Sequence, residues 1–363
     1  MGKLVGVLFG LMLLMPVYAA EDKVLNVYNW VDYIGPDTIK IFEERTGIKV
    51  TYDVFDSNDV LQGKLLAGSS GFDVVVPTSG YQARMMKAGV FMRLDHEKLP
   101  NLKHMNPVLM KQLEQFDPGN QYGVPYLWGT TGLGINRQLV TQILGKDAPV
   151  DSWALVFEPE NMKKLKACGV SFLDAHDELF PAVLAYRGEN PTAQSAELFQ
   201  EKVVPVLAGV GPHVTYFHSS KYINDLANGD ICVALGWSGD VLQASRRAKE
   251  AKLPFDVEYH IPREGTAVWF DMLAIPKDAP HPENALKFIN FLMEPEIIAG
   301  VTNQVRYANA NASADVFVDK SVLQNPGIYP SKEMSEKNFT LPPYPQKLDR
   351  KALRMWSRIK TGR

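Results

Sequence analysis

The sequence predicts an α/β protein of two domains, each a sheet flanked by helices. Three observations carry that prediction. From Val24 to Gly89 strand-like and helix-like segments alternate, the pattern of a parallel sheet with helices on its faces. The alternation resumes between Cys168 and Ala251, after a glycine-rich stretch that reads as a strand or crossover. The chain without its leader, at about 340 residues, is large for one core and comfortable for two.

In the first block, Val24 to Trp30 reads as a strand. Pro36 suits a first helical turn, Ile39, Phe42 and Ile48 take apolar positions, and Gly47 ends the helix. Ile48 to Val54 is a second strand. Asp56, Ser57 or Asn58 caps a helix carrying Val60, Leu61, Leu65 and Leu66, which Gly68 closes. Phe72 to Val76 is a buried strand stopped by Pro77, and YQARMMKAG from Tyr81 supplies the third helix. In the second block, Tyr126 to Asn136 is the strand or crossover, residues 152–168 are helical, and a new strand starts at Cys168. Ser219 to Asp230 is a capped helix ending at Gly229. Ile231 to Leu235 is a buried strand, and GWSGD from Gly236 opens the helix that follows. Phe255 to Lys277 reads as two extended segments around a glycine turn, returning the chain toward the first domain. His281 to Pro295 is an amphipathic helix, and from Val322 the tail is proline-rich, then basic, expected to wrap a domain surface.

The first twenty residues have the form of a secretory signal. Lys3 is their one charge, an apolar run spans Leu4 to Met15, and Val17-Tyr18-Ala19 has the small-x-small form of a cleavage site. The run is too short to span a bilayer, so an exported protein cut near Ala19 or Ala20 is expected. Without Lys3 the 38 basic residues become 37 against 41 acids, a net charge near −4 that gives no reason to expect nucleic acid. Cys168 and Cys232 are the only cysteines. In an oxidising compartment an even pair suggests a disulfide, with two buried free thiols as the alternative.

Ligands of open α/β sheets bind beyond the carboxyl ends of strands, and the residues collected there are chemically coherent. Trp30, Val31, Asp32 and Tyr33 follow the first strand; Thr78, Ser79 and Gly80 follow the third. Asp174, Asp177 and Glu178 follow the strand at Val170, and Trp237 to Asp240 follow the strand at Ile231. The late turn adds Trp269, Phe270 and Asp271, and Tyr307 follows VTNQVR. Aromatics and acids recur together without basic residues among them, which suits an organic cation. An aromatic face gives an ammonium roughly 0.5–2 kcal/mol, and a carboxylate adds charge-assisted hydrogen bonds. Four buried methylenes contribute only about 3 kcal/mol, while micromolar binding needs about 8. The carboxylates must supply much of the remainder. Taken singly each residue has a plainer use: Trp237 and Trp269 as core aromatics, Asp32, Thr78 and Asp240 as helix caps, Glu178 as a solvated acid. Their recurrence at several strand ends argues for a cleft.

Enzyme signatures are poor. GSSGF at Gly68 and GWSGD at Gly236 lack the spacing of a nucleophile elbow. GTTGLG at Gly129 is not a dinucleotide fingerprint, and no phosphate loop occurs. The seven histidines are scattered, without zinc spacing. No catalytic residue, cofactor or metal is expected. The enzymatic alternative is a carboxylate-pair glycoside hydrolase using Asp240 with Asp271 or Glu178.

YNWVDYI, FDSNDVLQGKLLAGSSGFDVVVP, KACGVSFLDA, YFHSSKYINDLANGDICVALGWSGD and NPGIYP together closely resemble a known family. It is that of the periplasmic putrescine- and polyamine-binding proteins of bacterial ABC uptake systems, of the type II periplasmic solute-binding kind. The resemblance runs over essentially the whole mature chain. It implies a two-domain clamshell with the ligand in the interdomain cleft. The N-terminal lobe is then 21–130 plus about 255–320, and the C-terminal lobe 131–254 plus about 321–363. It further implies a monomeric periplasmic protein without catalysis that captures an aliphatic polyamine and delivers it to an inner-membrane ABC permease. Putrescine comes first, with cadaverine, agmatine or spermidine next. A ligand-loaded sensor or scaffold is the other non-catalytic reading.

Residue by residue, the family's N-W-x-D-Y motif falls on Trp30, Asp32 and Tyr33, its cleft acids on Glu178, Asp240 and Asp271, and its walls on Trp237, Trp269 and Tyr307. The cysteine pair of close relatives falls on Cys168 and Cys232. On that mapping Asp32 and Asp271 take one ammonium, and Asp240 with Glu178, through water, takes the other. Trp30, Tyr33, Trp237, Trp269 and Tyr307 line the methylenes, and Thr78 joins the site. Two positions depart from the pattern. Val31 stands where putrescine binders commonly carry the serine of W-S-D-Y, and Gly80 where relatives often carry the second serine of P-S-x-S. Each removes a hydroxyl, and Val31 is the candidate specificity position.

Overall fold

The computed structural model describes residues 21–362, so the leader and its cleavage position lie outside the described residues. The strands are β1 Val24–Trp30, β2 Lys49–Phe55, β3 Val74–Val75, β4 Gly123–Asn136, β5 Val170–Phe172, β6 Tyr216–Phe217, β7 Val233–Trp237, β8 Val257–His260 and β9 Ala267–Ala274, with short additions at β10 Ala308–Asn309 and β11 Phe339–Thr340. Their main path runs β2-β1-β3-β9-β4-β7-β5-β6. β1 lies parallel to β2 and β3, and β5 lies parallel to β7 and β6, as the alternating strands and helices require. Between these parallel sets the sheet is antiparallel, because β4 carries the chain from one set to the other and β9 returns beside it. The segments of Phe255 to Lys277 therefore form no hairpin with each other. β8 pairs with the end of β4 and β9 with its beginning.

Two large apolar clusters flank this sheet. The first takes Leu25 to Leu127 and Trp269 to Ile328; the second takes Leu133 to Val257 and Tyr344 to Ile359. The change occurs within β4, across the small residues Gly129-Thr130-Thr131-Gly132. Val257 still packs with the second cluster, and Val322 and Ile328 still pack with the first.

Local chemistry places most element ends where the sequence puts them. Gly47 closes the first helix in the left-handed region at φ 70°, its N–H bonded to Glu43 O. Ser57 caps the second helix by accepting from the Asp59 N–H. The first helix begins at Thr38 after Asp37, so Pro36 precedes it. The tail differs more. Beyond its prolines, Gln346–Thr361 is a helix whose Leu348, Ala352, Trp356 and Ile359 form one buried stripe in the second cluster. Cys168 and Cys232 form a disulfide with a Cα–Cα distance of 5.5 Å, tying the amino ends of β5 and β7 together. No helix among the described residues is long and apolar enough to cross a membrane.

Candidate functional site

A cavity with walls from both clusters is lined by Trp30, Val31, Tyr33, Thr78, Glu178, Trp237, Asp240, Trp269, Asp271 and Tyr307, with Asp56, Asn58, Ser219 and Ser220. Trp30 ends β1, Thr78 follows β3, and Trp237 ends β7, so these three stand at carboxyl strand ends. Trp269 and Asp271 come from within β9 rather than from a turn; the antiparallel return of that strand sets Asp271 opposite Thr78.

Each of the three acids is held by named donors. Asp271 accepts the Thr78 hydroxyl on Oδ1 at 2.7 Å and the Tyr33 hydroxyl on Oδ2 at 2.8 Å. Asp240, third residue of the Ser238–Glu250 helix, accepts Tyr307 on Oδ1 and Tyr222 on Oδ2, both at 2.7 Å. Glu178 accepts the Trp237 indole N–H on Oε1 at 2.9 Å and the Thr131 hydroxyl on Oε2. An ionised carboxylate offers about four acceptor positions, so each keeps acceptor capacity for a guest. The rings form a connected wall. Trp30 meets Trp237 edge-on at 5.4 Å, Trp237 meets Trp269 at 6.3 Å, Trp269 meets Tyr307 at 5.5 Å, and Tyr307 meets Tyr33 at 5.0 Å. Gly239 makes room for this wall, since a Cβ there would lie 2.3 Å from the Tyr307 ring.

Burial pushes Asp240 and Asp271 up to about 7, against the hydroxyl bonds that pull them down. Burial, then the neighbouring Asp177, pushes Glu178 up to about 8, with Asp271 adding to it. Between the ordinary carboxylate range and these values the folded protein holds protons that an unfolded chain has released. Its stability therefore falls as pH rises through that window. Thermal melts of ligand-free protein are expected to show a lower Tm at about pH 8.5 than at pH 6, with a smaller drop in Asp240→Asn. A Tm that rises over this range contradicts the assignment.

Asp32 departs from expectation. It sits at φ 55°, a left-handed conformation that aspartate tolerates better than most residues. Its carboxylate pairs with Arg247 Nη2 at 2.9 Å, and its carbonyl accepts from Gln243 Nε2 at 3.4 Å. Arg247 stands two turns beyond Asp240 on the same helix and takes up this acid, so Asp32 is absent from the cavity wall and does not join Asp271 there. Gly80 also lies elsewhere, in the first turn of the Ser79–Lys87 helix, where a Cβ would meet Leu341 O at 3.2 Å. A hydroxyl at that position faces the tail. Val31 does line the cavity, its N–H bonded to Phe55 O at 3.1 Å.

Sequence reasoning missed Tyr222, Ser219 and Ser220 as site residues, and took Asp56 and Asn58 only as possible caps. Asn58 donates Nδ2 to Thr78 Oγ1 at 2.9 Å and accepts the Thr78 N–H, fixing the hydroxyl that reaches Asp271. Tyr222 is a fully buried helix aromatic, and nothing in its neighbourhood signals that its hydroxyl reaches Asp240. Among the described residues, no group of three or more His, Cys, Asp or Glu is placed to hold a metal ion.

Known proteins are similar to this chain in sequence and in fold. The chain is 53% identical over 345 residues to the putrescine-binding periplasmic protein SpuD of Pseudomonas aeruginosa strain UCBPP-PA14, covering 95% of this chain and 94% of that one. It is 51% identical over 345 residues to the putrescine-binding periplasmic protein PotF of Escherichia coli K12, covering 95% and 93%. Among solved structures, a putative spermidine/putrescine ABC transporter from Listeria monocytogenes has a TM-score of 0.84 at 30% identity, over 94% of this chain and 100% of that one. The family model described as bacterial extracellular solute-binding protein matches residues 37–328. The chain belongs to the bacterial extracellular solute-binding protein family.

Proposed function

We propose that this protein captures putrescine in the periplasm and delivers it to an ABC permease, without catalysing a reaction. The observation that carries this reading is the cavity itself: Asp240 and Asp271 are buried and Glu178 is half-buried behind a ring of tryptophans and tyrosines, with no Lys or Arg among the lining residues. Carboxylates kept in such a place cost free energy when ionised and unpaired. A dication supplies the missing charge at both ends, and the rings pack against its methylenes. Relatives named as putrescine-binding, at 53% and 51% identity, support the same ligand.

The two clusters act as lobes of a clamshell. Tyr307 of the first reaches Asp240 on the second lobe's Ser238–Glu250 helix, and Asp32 reaches Arg247 on that helix. Such contacts form only when the lobes meet, so a guest that bridges them favours closure through its differential affinity for the closed state. Asp32 then serves closure, and Asp240, Asp271 and Glu178 serve the ligand.

Calorimetric titration with putrescine, cadaverine, agmatine, spermidine, neutral sugars and amino acids tests this reading. Putrescine is expected to bind most tightly; binding of a sugar but no amine overturns it. Val31→Ser restores a hydroxyl to the cavity wall and should shift the putrescine-to-cadaverine ratio by roughly threefold or more, as one added hydrogen bond allows. An unchanged ratio removes Val31 from specificity.

A further inference from the structure

A second chamber shares Thr78, Glu178 and Trp269 with the carboxylate cavity and extends past them to Arg84, Asp177, Tyr344 and Asp349. Arg84 pairs through Nη1 with Asp349 Oδ2 at 2.8 Å and lies 4.4 Å over the Tyr81 ring. Its Nε and Nη2 are buried without a partner. Tyr344 is 8% exposed, and its hydroxyl is likewise buried and unpartnered. Such unanswered donors each cost about 1–3 kcal/mol. Here they gather beside a cleft built for a ligand, which marks where a ligand's acceptor belongs.

Charge selects the kind of acceptor. Asp177, Glu178 and Asp349 share the chamber with one guanidinium, and Asp349 already occupies part of it. A carboxylate end would meet a wall with more anions than cations. A second ammonium would leave the Arg84 donors unanswered. A neutral amide satisfies both sets, its carbonyl oxygen accepting from Arg84 and Tyr344 and its N–H donating to Asp177. We infer that this chamber is a subsite for the amide end of a mono-N-acylated diamine whose free ammonium occupies the carboxylate cavity, an inference that rests on the polyamine reading above.

Parallel calorimetric titrations with putrescine, N-acetylputrescine and 5-aminopentanoate test it on the wild type and on Tyr344→Phe. That substitution removes a hydroxyl with no partner in the ligand-free protein and so leaves the fold intact. The wild type is expected to bind putrescine and N-acetylputrescine but not 5-aminopentanoate. Tyr344→Phe is expected to weaken N-acetylputrescine by about fivefold to tenfold, the worth of one hydrogen bond, while putrescine changes by less than about twofold. Putrescine binding without N-acetylputrescine binding overturns this inference alone; failure of putrescine to bind overturns the polyamine reading beneath it. Equal weakening of both ligands by Tyr344→Phe, or tighter binding of 5-aminopentanoate than of N-acetylputrescine, also overturns the subsite.

Discussion

Asparagine in place of Asp240 lowers putrescine affinity by well over tenfold while leaving the fold intact. The amide has nearly the shape of the carboxylate, so the Tyr222 and Tyr307 hydroxyls keep a partner at 2.7 Å by reorienting one O–H. What disappears is the charge. Truncating one member of a buried, hydrogen-bonded charge pair costs about 2–5 kcal/mol, or roughly thirtyfold to several thousandfold in affinity. The same reasoning applies to Asp271→Asn, whose Thr78 and Tyr33 donors also remain. Because burial already pushes Asp240 up to about 7, the neutral side chain is no burden to the empty protein, and its Tm near pH 8 should stay level or rise. Calorimetry on the two variants checks the affinity, and melts check the fold. Unchanged affinity removes the altered acid from the site.

Removing the disulfide has the largest expected effect on stability and little on binding. The bridge closes 64 residues, worth about 4 kcal/mol in the chain-entropy model. It joins the chain just before β5 to the residue just before β7, where the Cys232 N–H also bonds Gly169 O at 3.0 Å. Those are the amino ends of the two strands, whereas the cavity lies beyond their carboxyl ends at Phe172 and Trp237. The double variant Cys168→Ala, Cys232→Ala should therefore unfold at lower denaturant yet bind putrescine with wild-type affinity. A loss of affinity with unchanged stability contradicts this division of roles.

Much of this was legible in the sequence because local rules suffice for it. Glycines at 47 and 229 end helices, alternation marks β2, and apolar runs mark β1 and β7. Aromatic and acidic residues stand beyond the ends of strands, where the cavity forms. The rest depends on long-range geometry. The antiparallel run of β9 beside β4 puts Asp271 opposite Thr78, 193 residues away in sequence, and no turn signal shows it. Tyr222 and Arg84 look like any helix aromatic and any surface cation until the fold aims them. Asp32 was misplaced for a related reason: the motif fixes its position at the corner, but Arg247, on a different segment, decides where its carboxylate goes.

The most direct measurement is a crystal structure of the protein grown with putrescine at pH 8. A single diamine is expected inside the aromatic ring, each ammonium within about 3 Å of an oxygen of Asp240, Asp271 or Glu178, the span of a charge-assisted hydrogen bond. A guest whose ammonium groups rest on water or main chain, with those three side chains still bonded only to their own hydroxyl and indole donors, would contradict it.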